Sequence, residues 1–130
     1  MAFETTALYA AIIAIVMAVL STIVAVLRGR HEVALGEGKS GELALPIRRF
    51  GNLTEYAPIV ILLLLLMENA GVSAGALHAY GSVFVVLRII HPLILFDTMG
   101  APIWKKAGRF VSGAGTALLM LIGAGVLLVG

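Results

Sequence analysis

Three polar side chains with complementary chemistry recur at helical spacing just before a long apolar run of the sequence. Arg48, Asn52 and Glu55 are four and three residues apart, which places them within about 60° of one another on an α-helix. Together they offer a guanidinium, an amide and a carboxylate, a set that suits a ligand bearing both carboxylates and an ammonium. We call these three residues the polar stripe.

The polar stripe also has a purely structural interpretation. Arg48 would then extend to a membrane surface, and Asn52 and Glu55 would join helices through internal hydrogen bonds. We favour the ligand interpretation, because an unpaired carboxylate at membrane depth would be very unfavourable.

A second polar pair, Arg88 and His91, lies three residues apart on one face of another apolar segment. Arg88 either forms a structural ion pair with Glu55 or contacts a ligand, and the sequence favours neither. His91 is equally compatible with a hydrogen bond between helices and with ligand contact. Two histidines at metal-binding spacing are absent from the sequence, so we expect no metal site.

The composition indicates that membrane helices position these side chains. Of the 130 residues, 61% are hydrophobic and 12% are charged, whereas soluble domains are about half apolar and about a quarter charged. A soluble protein of this size could not hide so much apolar surface from water, so the surplus is expected to face lipid. The sequence has no cysteine, which excludes disulfides and a cysteine nucleophile.

Four apolar runs predict a single all-α membrane domain over residues 1–130, a four-transmembrane-helix bundle. The helices are expected at about 6–27, 46–67, 74–96 and 109–129. At about 1.5 Å per residue the first run reaches about 33 Å, enough to cross a hydrocarbon core of about 30 Å. Pro58 and Pro92 fall inside the second and third helices, where a kink is the expected consequence.

Small residues recur every fourth position in two of these helices. They are Ala10, Ala14 and Ala18 in the first run, and Gly108, Ser112 and Thr116 at the start of the fourth. Such ridges allow close approach of neighbouring membrane helices. Both ridges are therefore predicted to be packing faces.

The positive charges predict the orientation in the membrane. Eight of the nine Lys and Arg residues lie in or beside two segments, 28–45 and 97–108. Cytoplasmic loops carry such an excess, so both segments are predicted to be cytoplasmic and both termini to lie on the opposite side. The basic residues have no interleaved aromatic residues for base stacking, and no nucleic-acid partner is expected. No positive charge precedes the first apolar run, so a cleavable signal peptide is not expected.

The second helix carries a motif that points to a known family. The pattern Arg48-x-x-x-Asn52-x-x-Glu55-Tyr56-x-Pro58 resembles the second-helix signature of the MAPEG family, the membrane-associated proteins of eicosanoid and glutathione metabolism. Arg88-x-x-His91, followed by the sequence Ala-Pro-Ile at 101–103, is similar to the family's prostaglandin synthase branch. The resemblance extends over essentially the whole chain.

The resemblance implies a homotrimer with glutathione bound between neighbouring subunits near the cytoplasmic side. Glutathione would be the co-substrate, and lipophilic small molecules would reach the site from the bilayer. The glutathione-binding residues implied by matching positions are Arg28 or Arg30, Arg48, Asn52, Glu55, Tyr56, Arg88 and His91.

Two positions depart from the family pattern and bear on catalysis. Leu95 stands where related enzymes have a tyrosine, and Trp104 stands where they have the arginine that activates the glutathione thiol. We expect Arg109 to replace that arginine, with Lys105 and Lys106 as hydrated anchors at the membrane surface. The predicted function is a glutathione transferase or peroxidase for lipophilic substrates, in which nearby cations lower a thiol pKa of about 8.5.

Two other functions fit parts of the sequence. A non-catalytic scaffold or lipid-binding protein with the same fold is favoured by Leu95 and Trp104. A small four-helix exporter would have a similar size, but such proteins carry a carboxylate inside the first helix. The first apolar run, 6–27, has no carboxylate, which disfavours the exporter.

Overall fold

The computed structural model describes residues 3–39, 41–95 and 100–129, and these residues contain four α-helices. They are α1 (Glu4–Arg30), α2 (Ala44–Asn69), α3 (Ala74–Ile94) and α4 (Ile103–Val129). Each is long and apolar enough to cross a membrane. The predicted four-helix membrane bundle is therefore confirmed.

The end of α1 and the start of α2 differ from the prediction. Arg28 and Arg30 were expected in a loop over 28–45, but they lie in the last turn of α1. Cations in that position interact favourably with the carbonyl groups that end a helix. α2 also begins at Ala44, two residues before Pro46, so the connection between the two helices is shorter than predicted.

The predicted loop over 97–108 is wrong in its second half, because α4 begins at Ile103. The backbone N–H groups of Lys105 and Lys106 both donate to the carbonyl of Pro102, at 3.0 and 3.3 Å. The two lysines therefore lie in the first helical turns. α3 is helical to Ile94, and the predicted helix end at Phe96 and loop start at Asp97 lie outside the described residues.

α2 and α3 occupy the centre of the bundle. Each of them packs against α1, α4 and the other, whereas α1 and α4 make no contact within the described residues. The core between them contains Tyr9, Leu53, Val60, Phe84 and Leu119. Many large apolar side chains point outward from all four helices, as expected where lipid replaces water as the solvent.

Pro58 and Pro92 lie inside α2 and α3 without ending either helix. Both positions lack a backbone donor, yet the helical hydrogen bonding continues on each side. The polar stripe and the Arg88 region are therefore carried on continuous helices.

The start of α1 is capped by a side chain from the end of α2. The carboxylate of Glu68 accepts hydrogen bonds from the backbone N–H groups of Thr5 and Thr6, at 2.9 and 2.8 Å. These two N–H groups have no partner within the helix, and the helix dipole favours an anion beside them. Glu68 thus fixes the two helices to each other at this end of the bundle.

Tyr9 joins α1 to α3 near the same end. Its hydroxyl donates to the carbonyl oxygen of His78 at 2.9 Å and lies 3.1 Å from Nδ1 of that residue. The tyrosine ring packs directly on Gly81, where an added Cβ would collide with it. Glycine at this position is what permits the close approach of α1 and α3.

Candidate functional site

The polar stripe lies in the first half of α2, away from Glu68 at the other end of the helix. A guanidinium nitrogen of Arg48 lies 2.8 Å from a carboxylate oxygen of Glu55, and the two side chains are 58% and 50% exposed. Asn52, between them on the same face, is buried. The helical spacing predicted from the sequence is thus observed, with an ion pair open to the surroundings of the single chain.

The position of Glu55 along α2 makes this exposure informative. Glu55 lies eleven residues after Ala44 in a helix of 26 residues. At about 1.5 Å per residue, it is about 17 Å along a helix of about 39 Å, and the hydrocarbon core is about 30 Å thick. An ion pair at that depth is too costly to leave against lipid, so it must face a neighbouring subunit, a wet cavity or a ligand.

Arg88 is buried beside the stripe and bridges three helices. One terminal nitrogen donates to Oδ1 of Asn52 at 2.7 Å. The other donates to the carbonyl oxygen of Ser112 at 2.9 Å and to the hydroxyl of Thr116. The alternative in which Arg88 pairs with Glu55 is wrong, because Glu55 pairs with Arg48 and Arg88 is held by neutral oxygens of α2 and α4.

The guanidinium of Arg88 retains a donor that no described residue binds. The side chain is 2% exposed, and within the described residues its buried Nε has no hydrogen-bond partner. The ring of Tyr56 lies 5.6 Å from the guanidinium carbon, a distance at which a cation is attracted to an aromatic face. The charge of Arg88 is therefore stabilised by dipoles and an aromatic ring, and an anion nearby would stabilise it further.

His91 lies one turn after Arg88 and is also buried. The charges of Arg88, Arg109 and Arg48 all act on its imidazole. Guanidinium groups from α2, α3 and α4 thus converge on one region, where Glu55 supplies a negative charge already paired with Arg48. Arg88, whose partners are neutral oxygens, would attract an anionic group of a ligand in this region.

The sequence of the chain matches a known family of membrane proteins. The model of the MAPEG family matches residues 6–129. The chain belongs to the MAPEG family. It is 34% identical to the inner membrane protein YecN of Escherichia coli strain K12 over 116 residues, which cover 89% of this chain and 86% of that protein. The YecN protein of Escherichia coli O6:H1 gives the same values, and no solved structure matches the chain.

The resemblance drawn from the second-helix motif is therefore confirmed, and the chain is an integral, multi-pass membrane protein of the MAPEG family. The structure gathers the motif residues of α2 and α3 into one region. Those residues are Arg48, Asn52, Glu55, Tyr56, Arg88 and His91.

The first-helix candidates of the MAPEG pattern lie apart from this region within one subunit. Arg28 donates to the carbonyl oxygens of Val33 and Ala34, at 3.5 and 3.3 Å, and so holds the start of the connection to α2. Arg30 is exposed. Within the described part of the chain neither has a hydrogen bond to the polar stripe, so any contact with a shared ligand would require a neighbouring subunit.

The two positions that depart from the MAPEG pattern are also placed. Leu95 is buried and extended directly after α3. Trp104 is exposed in the first turn of α4, and the ammonium of Lys105 lies 5.5 Å from its ring centre. Arg109 is exposed one turn further along α4, the helix whose residues Ser112 and Thr116 bind Arg88. These placements leave Arg109 as the α4 cation that acts on His91.

Sequence reasoning missed the role of Ser112 and Thr116. Both were predicted only as small residues in a packing ridge, and the ridge does pack, with Gly108 lying against Ile94 of α3. The two residues also supply oxygens to Arg88. A signal was present for Thr116, because a hydroxyl on a packing ridge is a natural partner for a cation buried in an adjacent helix. The contribution of Ser112 is its backbone carbonyl, which its residue type does not signal.

Proposed function

We propose that this protein binds glutathione at the polar stripe and uses its thiol in transferase or peroxidase reactions with lipophilic substrates. The observation that carries the proposal is the Arg48–Glu55 ion pair, which is exposed on a helix long enough to span the membrane. Membership of the MAPEG family supports it.

The charges around the stripe complement those of glutathione. Glutathione has two carboxylates, one ammonium and a thiol. The guanidinium of Arg48 can bind a carboxylate in two-pronged geometry, and the carboxylate of Glu55 can accept from the ammonium. The two side chains pair with each other at 2.8 Å, and a zwitterion can replace each partner by an equivalent charge.

A homotrimer is part of the proposal, because a neighbouring copy would cover the stripe. Ala14 and Ala18 of the α1 ridge are exposed in the single chain, so this small-residue face is open for a second helix to approach closely. A neighbouring α1 would also bring its Arg28 and Arg30 toward the same end of the membrane. Native mass spectrometry in mild detergent should detect a trimer, and a spectrum containing only monomer or dimer would count against this assembly.

The decisive test of binding is a titration with glutathione by calorimetry. The wild-type protein should bind, and Arg48→Ala should weaken binding at least about tenfold, the equivalent of one charge-assisted contact of ~1.5–3 kcal/mol. Lys39→Ala removes the same charge from an exposed loop position and should leave affinity unchanged. Equal affinities in wild type and Arg48→Ala would assign Arg48 to the membrane surface instead.

A glutathione-binding protein without turnover is the second candidate function, favoured by the chemistry of two residues. Leu95 supplies no hydroxyl, and Trp104 supplies a single N–H and no charge. A turnover assay with a chloronitrobenzene electrophile separates the two candidates. Conjugate formation, or reduction of a lipid hydroperoxide in a parallel assay, supports the catalytic protein, and binding with neither activity supports the non-catalytic protein.

A further inference from the structure

On the α4 side, Arg88 is bound by two groups that are themselves fixed by hydrogen bonds within that helix. The hydroxyl of Thr116 donates to the carbonyl of Ser112 at 2.8 Å, and the hydroxyl of Ser112 donates to the carbonyl of Arg109 at 3.1 Å. Each hydroxyl has one hydrogen, so the oxygen of Thr116 is left as an acceptor for Arg88. One side of the guanidinium is thereby fixed on α4.

The other side of the guanidinium determines the orientation of Asn52. A guanidinium carries only donors, so the group of Asn52 that faces it at 2.7 Å must be the amide oxygen. The amide nitrogen consequently faces away from Arg88. Asn52 lies between Arg48 and Glu55 on one helical face, so its two N–H donors are available on the side of the polar stripe.

We propose that Thr116 is a positioning residue that, with the backbone carbonyl of Ser112, acts through Arg88 to make Asn52 a donor-only group of the glutathione site. This inference rests on the proposed function. Asn52 then recognises an acceptor of the ligand, a carboxylate or a peptide carbonyl, and rejects an ammonium. The donors of the stripe are Arg48 and Asn52, and Glu55 is its acceptor.

The choice of amide at position 52 supports a role beyond holding Arg88. A carboxylate would bind the buried guanidinium more strongly than an amide oxygen, because it adds the attraction between two opposite charges to the hydrogen bond. Arg88 is 2% exposed and is held by neutral oxygens. An asparagine gives up that stronger bond and gains two N–H donors, which are useful only to a second partner.

The test replaces those donors while preserving the shape of the side chain. Asn52→Asp keeps an oxygen toward Arg88 and turns a second oxygen toward the ligand. We expect an unchanged or raised melting temperature together with a loss of glutathione affinity of at least about tenfold. The matched control is Asn69→Asp, because Asn69 is exposed at the far end of the same helix; it should change neither quantity. Wild-type affinity in Asn52→Asp would overturn the inference alone, whereas a wild-type protein that binds no glutathione would overturn the proposed function and this inference with it.

The role of α4 is tested separately, with a conservative variant as the rescue. Thr116→Val removes the acceptor with little change in volume, and Thr116→Ser retains the hydroxyl. We expect weaker glutathione binding in Thr116→Val and wild-type affinity in Thr116→Ser, each measured well below its own melting temperature. A purely structural hydroxyl would change the melting temperature but not the affinity of the folded protein, and that result would remove Thr116 as a positioning residue. If Thr116→Val fails to fold, Asn52→Asp still tests the donor role of Asn52, and wild-type glutathione affinity in that variant overturns the inference.

Discussion

Removing the two members of the Arg88–Asn52 hydrogen bond should have unequal effects on stability. In Asn52→Leu the buried guanidinium of Arg88 loses the acceptor of its Nη1 group, and its Nε already has no partner. Leaving a buried charged donor without its acceptor costs more than the about 1–3 kcal/mol of a neutral group. In Arg88→Met the charge itself disappears, so the cost must come from the acceptors left behind.

Those acceptors are mostly satisfied by other groups. The carbonyl oxygen of Ser112 still accepts from the hydroxyl of Thr116, so the amide oxygen of Asn52 is the group left without its donor. An unsatisfied neutral group of this kind costs about 1–3 kcal/mol. Arg88→Met should therefore be less destabilising than Asn52→Leu by up to about 2 kcal/mol, and adding Arg88→Met to Asn52→Leu should restore part of the loss.

Thermal unfolding in detergent measures this difference. For a chain of this size, about 2 kcal/mol corresponds to a separation of roughly 5–10 °C in melting temperature. Asn69→Leu, at an exposed position of the same helix, is the control for the substitution itself. A melting temperature for Arg88→Met at or below that of Asn52→Leu would refute the account of Arg88 as a buried charge held by Asn52.

Three further predictions test the packing, the orientation and the chemistry. Gly81→Ala should lower the melting temperature, because its Cβ would meet the tyrosine ring of α1, whereas Gly75→Ala, with open space around it, should not; equal effects would contradict the packing. Single cysteines at Lys39 and Ser73 should react with impermeant reagents from opposite sides of the membrane, and reaction of both from one side would refute the orientation. Arg109→Leu should move the formation of bound glutathione thiolate, followed by its absorbance, to higher pH, because a nearby cation lowers the thiol pKa. Identical titration curves would remove Arg109 from the mechanism.

The number and order of the helices could be predicted because lipid allows few structures. A chain that spans the hydrocarbon core must satisfy its backbone within each segment, so a long apolar run is read directly as a helix. The errors fall where that rule no longer applies. Arg30 and Lys105 lie in helical turns, but charged residues at the membrane surface look like a loop in a hydropathy pattern.

Contacts between site residues on the same helix could be predicted from the sequence, whereas contacts between residues on different helices could not. Spacing alone places Arg48 and Glu55 on one face of α2, and the structure shows them paired at 2.8 Å. The partner of Arg88 depends instead on the rotation and the register of α3 against α2 and α4, which no local pattern specifies. The sequence thus left Glu55 as a possible partner for Arg88, and packing selected Asn52 and the ridge of α4.

The two carboxylates of α2, Glu55 and Glu68, differ in the groups that they bind. Glu68 accepts from the backbone of Thr5 and Thr6, so its charge is used by the chain itself to fix the start of α1. Glu55, on the same helix, has Arg48 as its partner, and the side chains of Arg48 and Glu55 are 58% and 50% exposed. An ion pair exposed to lipid at that depth is costly, so it is expected to face another subunit, a wet cavity or a ligand. The contrast supports the Glu55 half of α2 as the place where the proposed ligand or neighbouring subunit binds.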